Sequence, residues 1–256
     1  MLGLRGLVSV TFRKLSPEEI IRLSAECGLQ SIEWGADVHV PPLDLENARR
    51  VGQLTRDAGL QNVSYGSYYY VGKEQNTCTP EELVAAAEAL GAGNVRVWAG
   101  DRGSAKADDA FFERVVSESR ALADLCAEHG MTLSFEYHGN TLTDGREQAV
   151  RLMRAIDHPN CRIYWQPVAS LTVQENCRAL TDVLPWLTCI HVFQWSLQNA
   201  EPVVVRHPLT DGSEEWAQYV DILRADVRTH PMQLEFVSED SPEALLADSK
   251  EFLSWK

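Results

Sequence analysis

Apolar and polar positions along the chain alternate between two periods. Short runs of period two are followed by longer runs of period 3.6, and the pair recurs from end to end. Gly6 to Phe12 reads as a first strand, and Ser16-Pro17-Glu18-Glu19 supplies a cap, a first-turn proline and acidic first-turn residues for a helix closed by Gly28. The same reading gives a strand over Ser31–Trp34, a helix from Leu43 to Ala58, a strand over Asn62–Ser67 and a helix from Thr79 to Gly91. A strand over Asn94–Trp98 and a helix from about Asp108 to His129 follow. The fifth strand is the stretch Thr132 to Asn140, in which Leu133, Phe135 and Tyr137 share one face and Ser134, Glu136 and His138 the other. Beyond it come a helix from Gly145 to Asp157, a strand over Cys161–Gln166, a helix from Val173 to Leu184 and a strand over Leu187–Phe193. A long loop then leads to a helix from Ser213 to Ala225, a strand over Met232–Val237 and a last helix opened by Ser241-Pro242-Glu243.

Strict alternation of strand and helix over 256 residues is the size and order of a single (β/α)8 TIM barrel spanning 1–256, and no linker-like stretch divides it. An open doubly wound sheet is the competing architecture. It lacks its phosphate fingerprint, because Gly91-Ala92-Gly93 stands between a helix and a strand, the reverse of the order a dinucleotide turn needs.

In such a barrel chemistry collects at the C-terminal strand ends. Those ends hold Trp34 and His39, Tyr65 and the run Tyr68 to Tyr70, Trp98, Glu136, His138 and Asn140, Gln166, His191, Trp195 and Glu235. Aromatic faces and polar tips at one rim suit a sugar, whose C–H faces stack and whose hydroxyls hydrogen-bond. Trp34, His39, Tyr65, Trp98, His138 and Asn140 are therefore the expected substrate contacts. Two glutamates at strand ends need a cationic neighbour or a metal, because a bare buried carboxylate is costly. Glu136, Gln166, His191 and Glu235, from consecutive strands five to eight, form a mixed oxygen and nitrogen set suited to one Mn²⁺, Mg²⁺, Co²⁺ or Zn²⁺ ion. Glu33 and Arg96, inward on strands two and four, read instead as an internal ion pair. His129, His158 and His230 fall at the opposite, stability face.

With those residues in place, the whole chain resembles the xylose isomerase-like barrels, the group of sugar isomerases and epimerases that also contains inosose dehydratases and apurinic-site endonucleases. The resemblance implies a metal held by Glu136, His191 and Glu235, and an arginine from the strand-seven loop, Arg206, on the substrate. Gln166 departs from it: in Ile163-Tyr164-Trp165-Gln166-Pro167 an amide stands where the family carries aspartate before proline, which implies weaker metal binding. Ile32 to Val40 is similar to the group's substrate-binding loop after strand two.

The expected activity is isomerisation or epimerisation of a small unphosphorylated sugar or related carbonyl compound. Glu136 and Glu235 would move a proton through an enediolate stabilised by the metal. A related dehydratase would expel a hydroxyl from the same enolate. A metal-dependent phosphodiesterase and a sugar-binding barrel without catalysis are the other classes; the second is kept open by Gln166. A net charge of −14 disfavours the nuclease and, with it, nucleic acid or an anionic membrane as partner. The acidic Ser238 to Ser241 loop disfavours a phosphate grip.

No apolar run reaches membrane-spanning length and Met1 to Leu7 lacks the pattern of a signal peptide, so a cytoplasmic protein is expected, with a carbohydrate as partner and a homo-oligomer compatible with the sequence. The six cysteines form no C-x-x-C and are expected reduced.

Overall fold

A computed structural model of the protein describes residues 2–198 and 203–255. Eight parallel strands close into a barrel: β1 (Arg5–Val8), β2 (Ser31–Gly35), β3 (Gln61–Tyr70), β4 (Asn94–Trp98), β5 (Thr132–Phe135), β6 (Cys161–Trp165), β7 (Leu187–Val192) and β10 (Met232–Leu234). Each is paired in parallel with the next in chain order, and β10 closes the ring onto β1 through Arg5, Gly6 and Leu7. The outer ring is α1 (Pro17–Glu26), α2 (Leu45–Asp57), α3 (Pro80–Leu90), α4 (Asp109–Glu128), α5 (Arg146–Ile156), α6 (Val173–Val183), α7 (Ser213–Ala225) and α8 (Pro242–Ser254). This is a (β/α)8 TIM barrel, as the alternation predicts.

The helix starts follow from local chemistry. Ser16, Thr79 and Thr172 each accept the backbone N–H of a glutamate three residues on, whose carboxylate returns to the cap N–H, which satisfies two orphan donors at each start. Asp108 caps α4, and Gly91 ends α3 in the left-handed conformation that a side chain would strain. The strands bury nearly every position, because one face meets the barrel interior and the other the helices. The apolar core lies in that second layer, where Trp34, Trp165, Trp216, Phe252 and their neighbours are fully buried.

Three departures matter. The first strand ends at Val8 rather than Phe12, and Ser9–Phe12 is a 3-10 turn that folds over the barrel end. The long loop after β7 carries an antiparallel hairpin, β8 (Gln194–Gln198) with β9 (Val203–His207), standing beside the mouth. β5 and β10 stop one residue before Glu136 and Glu235, so both carboxylates sit just past their strands. Their backbone N–H groups still bond to the neighbouring strands, at Val97 and Val192. The cysteines are all free, as expected. Among the described residues no helix is long and apolar enough to cross a membrane.

Candidate active site

Strand alternation turns Glu33, Arg96, Tyr164 and His191 into the barrel at four different strands. All four side chains are buried, with Glu33 and His191 at 0% exposure. Arg96 Nε donates to Glu33 Oε1 at 2.7 Å, and its Nη1 donates to Glu136 Oε2. The pair expected between Glu33 and Arg96 is therefore present, but the same guanidinium also reaches a carboxylate expected on the metal. Gly66 makes room for it: a Cβ there would lie 2.7 Å from Arg96 Nη2 and 2.8 Å from Glu33 Oε1.

His191 lies at the centre of the group. Its Nδ1 lies 3.3 Å from Glu235 Oε2, 3.9 Å from Glu136 Oε1 and 3.2 Å from Gln166 Oε1. Glu136, His191 and Glu235 each offer a ligand atom within 4.8 Å of the others, and all three are buried. The structure thus brings together four residues of consecutive barrel strands that the sequence proposes as one ligand set.

The residues fit a divalent cation on two grounds. Three buried carboxylates, Glu33, Glu136 and Glu235, face a single guanidinium, which leaves two negative charges that one dication would neutralise. The donors are two carboxylates, an imidazole nitrogen and an amide oxygen, the mixed set that Mn²⁺, Mg²⁺, Co²⁺ or Zn²⁺ accepts.

The electrostatics are strongly coupled. Burial alone would raise the pKa of Glu33, but Arg96 and His191 outweigh it and hold that carboxyl down at about 2. Burial alone would lower the pKa of His191, but Glu235 and Glu33 outweigh it and hold the imidazole up at about 10. Without a cation, His191 therefore supplies one of the two missing positive charges as a proton. A raised histidine pKa stabilises the fold fully below the ordinary value of 6.5 and loses that contribution as pH climbs through about 10. A metal ion must displace this proton, so its apparent affinity is expected to rise about tenfold for each pH unit across the neutral range. Calorimetric titration with Mn²⁺ in buffers of different ionisation enthalpy reads the proton released. A pH-independent affinity with no proton release would remove Nδ1 from the ligand set.

The mouth is built differently from the expectation in three places. Trp34 has no exposed surface, and its indole N–H faces Thr55 Oγ1 at 3.2 Å and Asn62 Oδ1 at 3.0 Å, between the barrel and α2. Tyr65 is equally buried, and its hydroxyl donates to the Val40 carbonyl at 2.8 Å. Both are placed by the period of two: Glu33 and Ser64 turn inward, so their neighbours Trp34 and Tyr65 must turn outward. His39 is 3% exposed, with Nδ1 3.0 Å from Ser9 Oγ and Nε2 3.2 Å from the Leu15 carbonyl, and braces the loop after β2. These three are corrections to the expected substrate contacts.

Trp98 shares the inward phase of Arg96 and is partly exposed at the mouth. It packs against Tyr70 at 5.2 Å, Tyr68 at 6.3 Å and His138 at 4.3 Å between ring centroids. His138 has Nδ1 2.8 Å from the Gly139 carbonyl, and a carbonyl can only accept; Nδ1 therefore carries the proton, and in the neutral ring Nε2 carries the lone pair. Asn140 is exposed in a left-handed turn. Arg206, on β9, stacks over Phe236 at 4.6 Å and pairs with Asp240, so its cation is already compensated at the rim. Tyr164 was not anticipated. Its hydroxyl donates to Glu33 Oε2 at 2.8 Å, and its inward phase could have been read from Gln166, two residues on and just past the end of β6.

A family model described as xylose isomerase-like TIM barrel matches residues 21–254. A 3-dehydroshikimate dehydratase of Bacillus anthracis is 28% identical over 202 residues, which cover 73% of this chain and 70% of that one. Among solved structures, the probable 3-DHS dehydratase AsbF of Bacillus anthracis, involved in petrobactin synthesis, matches with a TM-score of 0.80 at 21% identity, covering 99% of this chain and 100% of that one. D-psicose 3-epimerase in the presence of D-fructose matches with a TM-score of 0.71 at 13% identity, covering 98% and 97%. At these identities the structural likenesses speak to the fold.

Proposed function

Since the chain belongs to the xylose isomerase-like TIM barrel family, we propose that it is a divalent-metal-dependent dehydratase of a small cyclic hydroxy ketone, with 3-dehydroshikimate as the first substrate to test. The observation that carries the metal reading is the convergence of Glu136, His191 and Glu235 within 4.8 Å at the C-terminal end of the barrel, with Gln166 Oε1 beside them. The 28% identity to a 3-dehydroshikimate dehydratase over most of both chains supports dehydration as the outcome.

In this reading Glu136, Gln166, His191 and Glu235 hold the ion, and the ion supplies Lewis-acid polarisation of the substrate carbonyl. His138 takes the proton from the carbon next to that carbonyl, because its Gly139 contact leaves Nε2 as the basic nitrogen. The C–H pair becomes a carbon–carbon double bond as the β-hydroxyl leaves, and the proton on His138 goes to that hydroxyl to release water. Trp98, with Tyr68 and Tyr70 against it, forms the apolar wall for the ring. Arg206 is the rim cation nearest in kind to what a substrate carboxylate needs, at the cost of releasing Asp240.

Epimerisation keeps a place for one reason. Glu136 and Glu235 come from different strands to the same point, which is the arrangement a two-base proton exchange would use. Incubating the Mn²⁺-loaded protein with 3-dehydroshikimate and, separately, with free ketohexoses decides between them. Dehydration is expected to give an aromatic diol acid, read by ultraviolet absorbance, with the ketohexoses unchanged. Epimerised hexose with no aromatic product would assign the carboxylates to proton exchange instead, and turnover of neither class would reject both.

A further inference from the structure

The two ring nitrogens of His191 face different company. Nδ1 faces Glu235, Gln166 and Glu136, as described above. Nε2 is buried and without a hydrogen-bond partner, and Glu33 Oε1 lies 3.4 Å from it. Glu33 is held in that place from two other sides. Arg96 Nε donates to its Oε1 at 2.7 Å, and the Tyr164 hydroxyl donates to its Oε2 at 2.8 Å. Tyr164 is itself fixed: its hydroxyl oxygen lies 2.8 Å from Ser64 Oγ and accepts from Asn94 Nδ2 at 3.1 Å, and its ring stands edge-on to His191 at 5.1 Å.

A neutral imidazole has one N–H and one lone pair, and the group that accepts the N–H decides which nitrogen is left to bind a metal. We propose that Glu33 is a positioning residue for the metal centre: its carboxylate claims the proton of His191 at Nε2 and so turns the lone pair of Nδ1 toward the cation. An ion pair serving only to fill the barrel would need Arg96 alone. It would not need a second donor, Tyr164, that also walls the imidazole. Gly66, whose missing side chain leaves room for the Glu33 and Arg96 groups, is part of the same fit. The proposal rests on the metal reading above.

Glu33→Gln keeps the shape and an acceptor for Arg96 but can offer an amide N–H to Nε2, which would favour the opposite tautomer. Titration with Co²⁺, followed by its visible absorption, is expected to show affinity about 10–100-fold weaker than in the unaltered protein. In the Zn²⁺-loaded protein a slowly exchanging imidazole proton on His191 Nε2 should be visible by nitrogen-edited NMR and should be lost or displaced in Glu33→Gln. Tyr164→Phe removes the hydroxyl but keeps the ring, so a smaller weakening is expected; this variant tests the idea should Glu33→Gln fail to fold. A lower melting temperature with Co²⁺ affinity within about twofold of the unaltered protein would make Glu33 structural and overturn the proposal. An unaltered protein that binds no Co²⁺ would overturn the metal reading and this inference together, whereas equal binding by protein and variants overturns this inference alone.

Discussion

Exchanging Glu235 for glutamine is expected to lower affinity for Mn²⁺ by at least about two orders of magnitude, since losing a direct ligand should cost no less than the 10–100-fold typical of outer partners. The change removes a charge at almost constant volume. Glu235 is 6% exposed and lies with Glu136 and His191 around one point, so solvent cannot replace the lost oxygen without rearrangement. Glu136→Gln should behave alike, with the added effect that Arg96 loses a carboxylate partner. Activity on the dehydration substrate should fall with occupancy. Gln166→Asp is the reciprocal change: an anionic oxygen beside Nδ1 should tighten the ion. Metal content after gel filtration, with circular dichroism to show that the fold survives, reads all three. Full occupancy in both glutamine variants would remove these carboxylates from the site.

Arg96→Met should have the largest effect on stability. The side chain of Arg96 is 3% exposed and compensates Glu33 and Glu136, both nearly without solvent contact. Removing one partner from a buried ion pair leaves charge uncompensated, at a cost of about 3–5 kcal/mol. Urea unfolding in the absence of divalent ions should show that loss, and saturating Mn²⁺ should recover part of it by restoring positive charge to the same space. A second exchange, Glu33→Gln in the Arg96→Met background, should be less harmful than in the unaltered protein, because it removes the charge left unpaired. A loss below about 1 kcal/mol would mean that the guanidinium is not the partner on which these buried carboxylates depend.

The mouth shows where reading a chain one strand at a time falls short. Trp34 and Tyr65 lie near strand ends with aromatic side chains, which is sufficient to nominate them, yet both are buried behind the barrel wall. For Trp34 the information was present, because Glu33 already fixed an inward phase on β2 that excludes its neighbour; for Tyr65 it rests on the inward turn of Ser64 on β3. His39 is different. Its partners, Ser9 and the Leu15 carbonyl, come from a segment that reads as a strand and folds as a 3-10 turn, and no local pattern announces that contact. The β8–β9 hairpin was likewise hidden, since Gln194–Gln198 and Val203–His207 stabilise each other only as a pair.

The amino-acid sequence by itself determined the (β/α)8 order and the helix caps, and it nominated Glu136, Gln166, His191 and Glu235, which the fold brings together. These depend on period, on turn chemistry and on strand order, all of which act between residues near in the chain or related by one topological rule. Only the tertiary structure decided who shares a charge with whom. Arg96 lies between Glu33 and Glu136, His191 turns one nitrogen to the ligand cluster and the other toward Glu33, and Tyr164 closes the far side of that carboxylate. The reason is that the barrel interior is a low-dielectric space where four strands, separated by up to 158 residues between Glu33 and His191, meet within hydrogen-bonding distance. In that space a charge is set by its neighbours across the barrel, and periodicity along one strand carries no record of them.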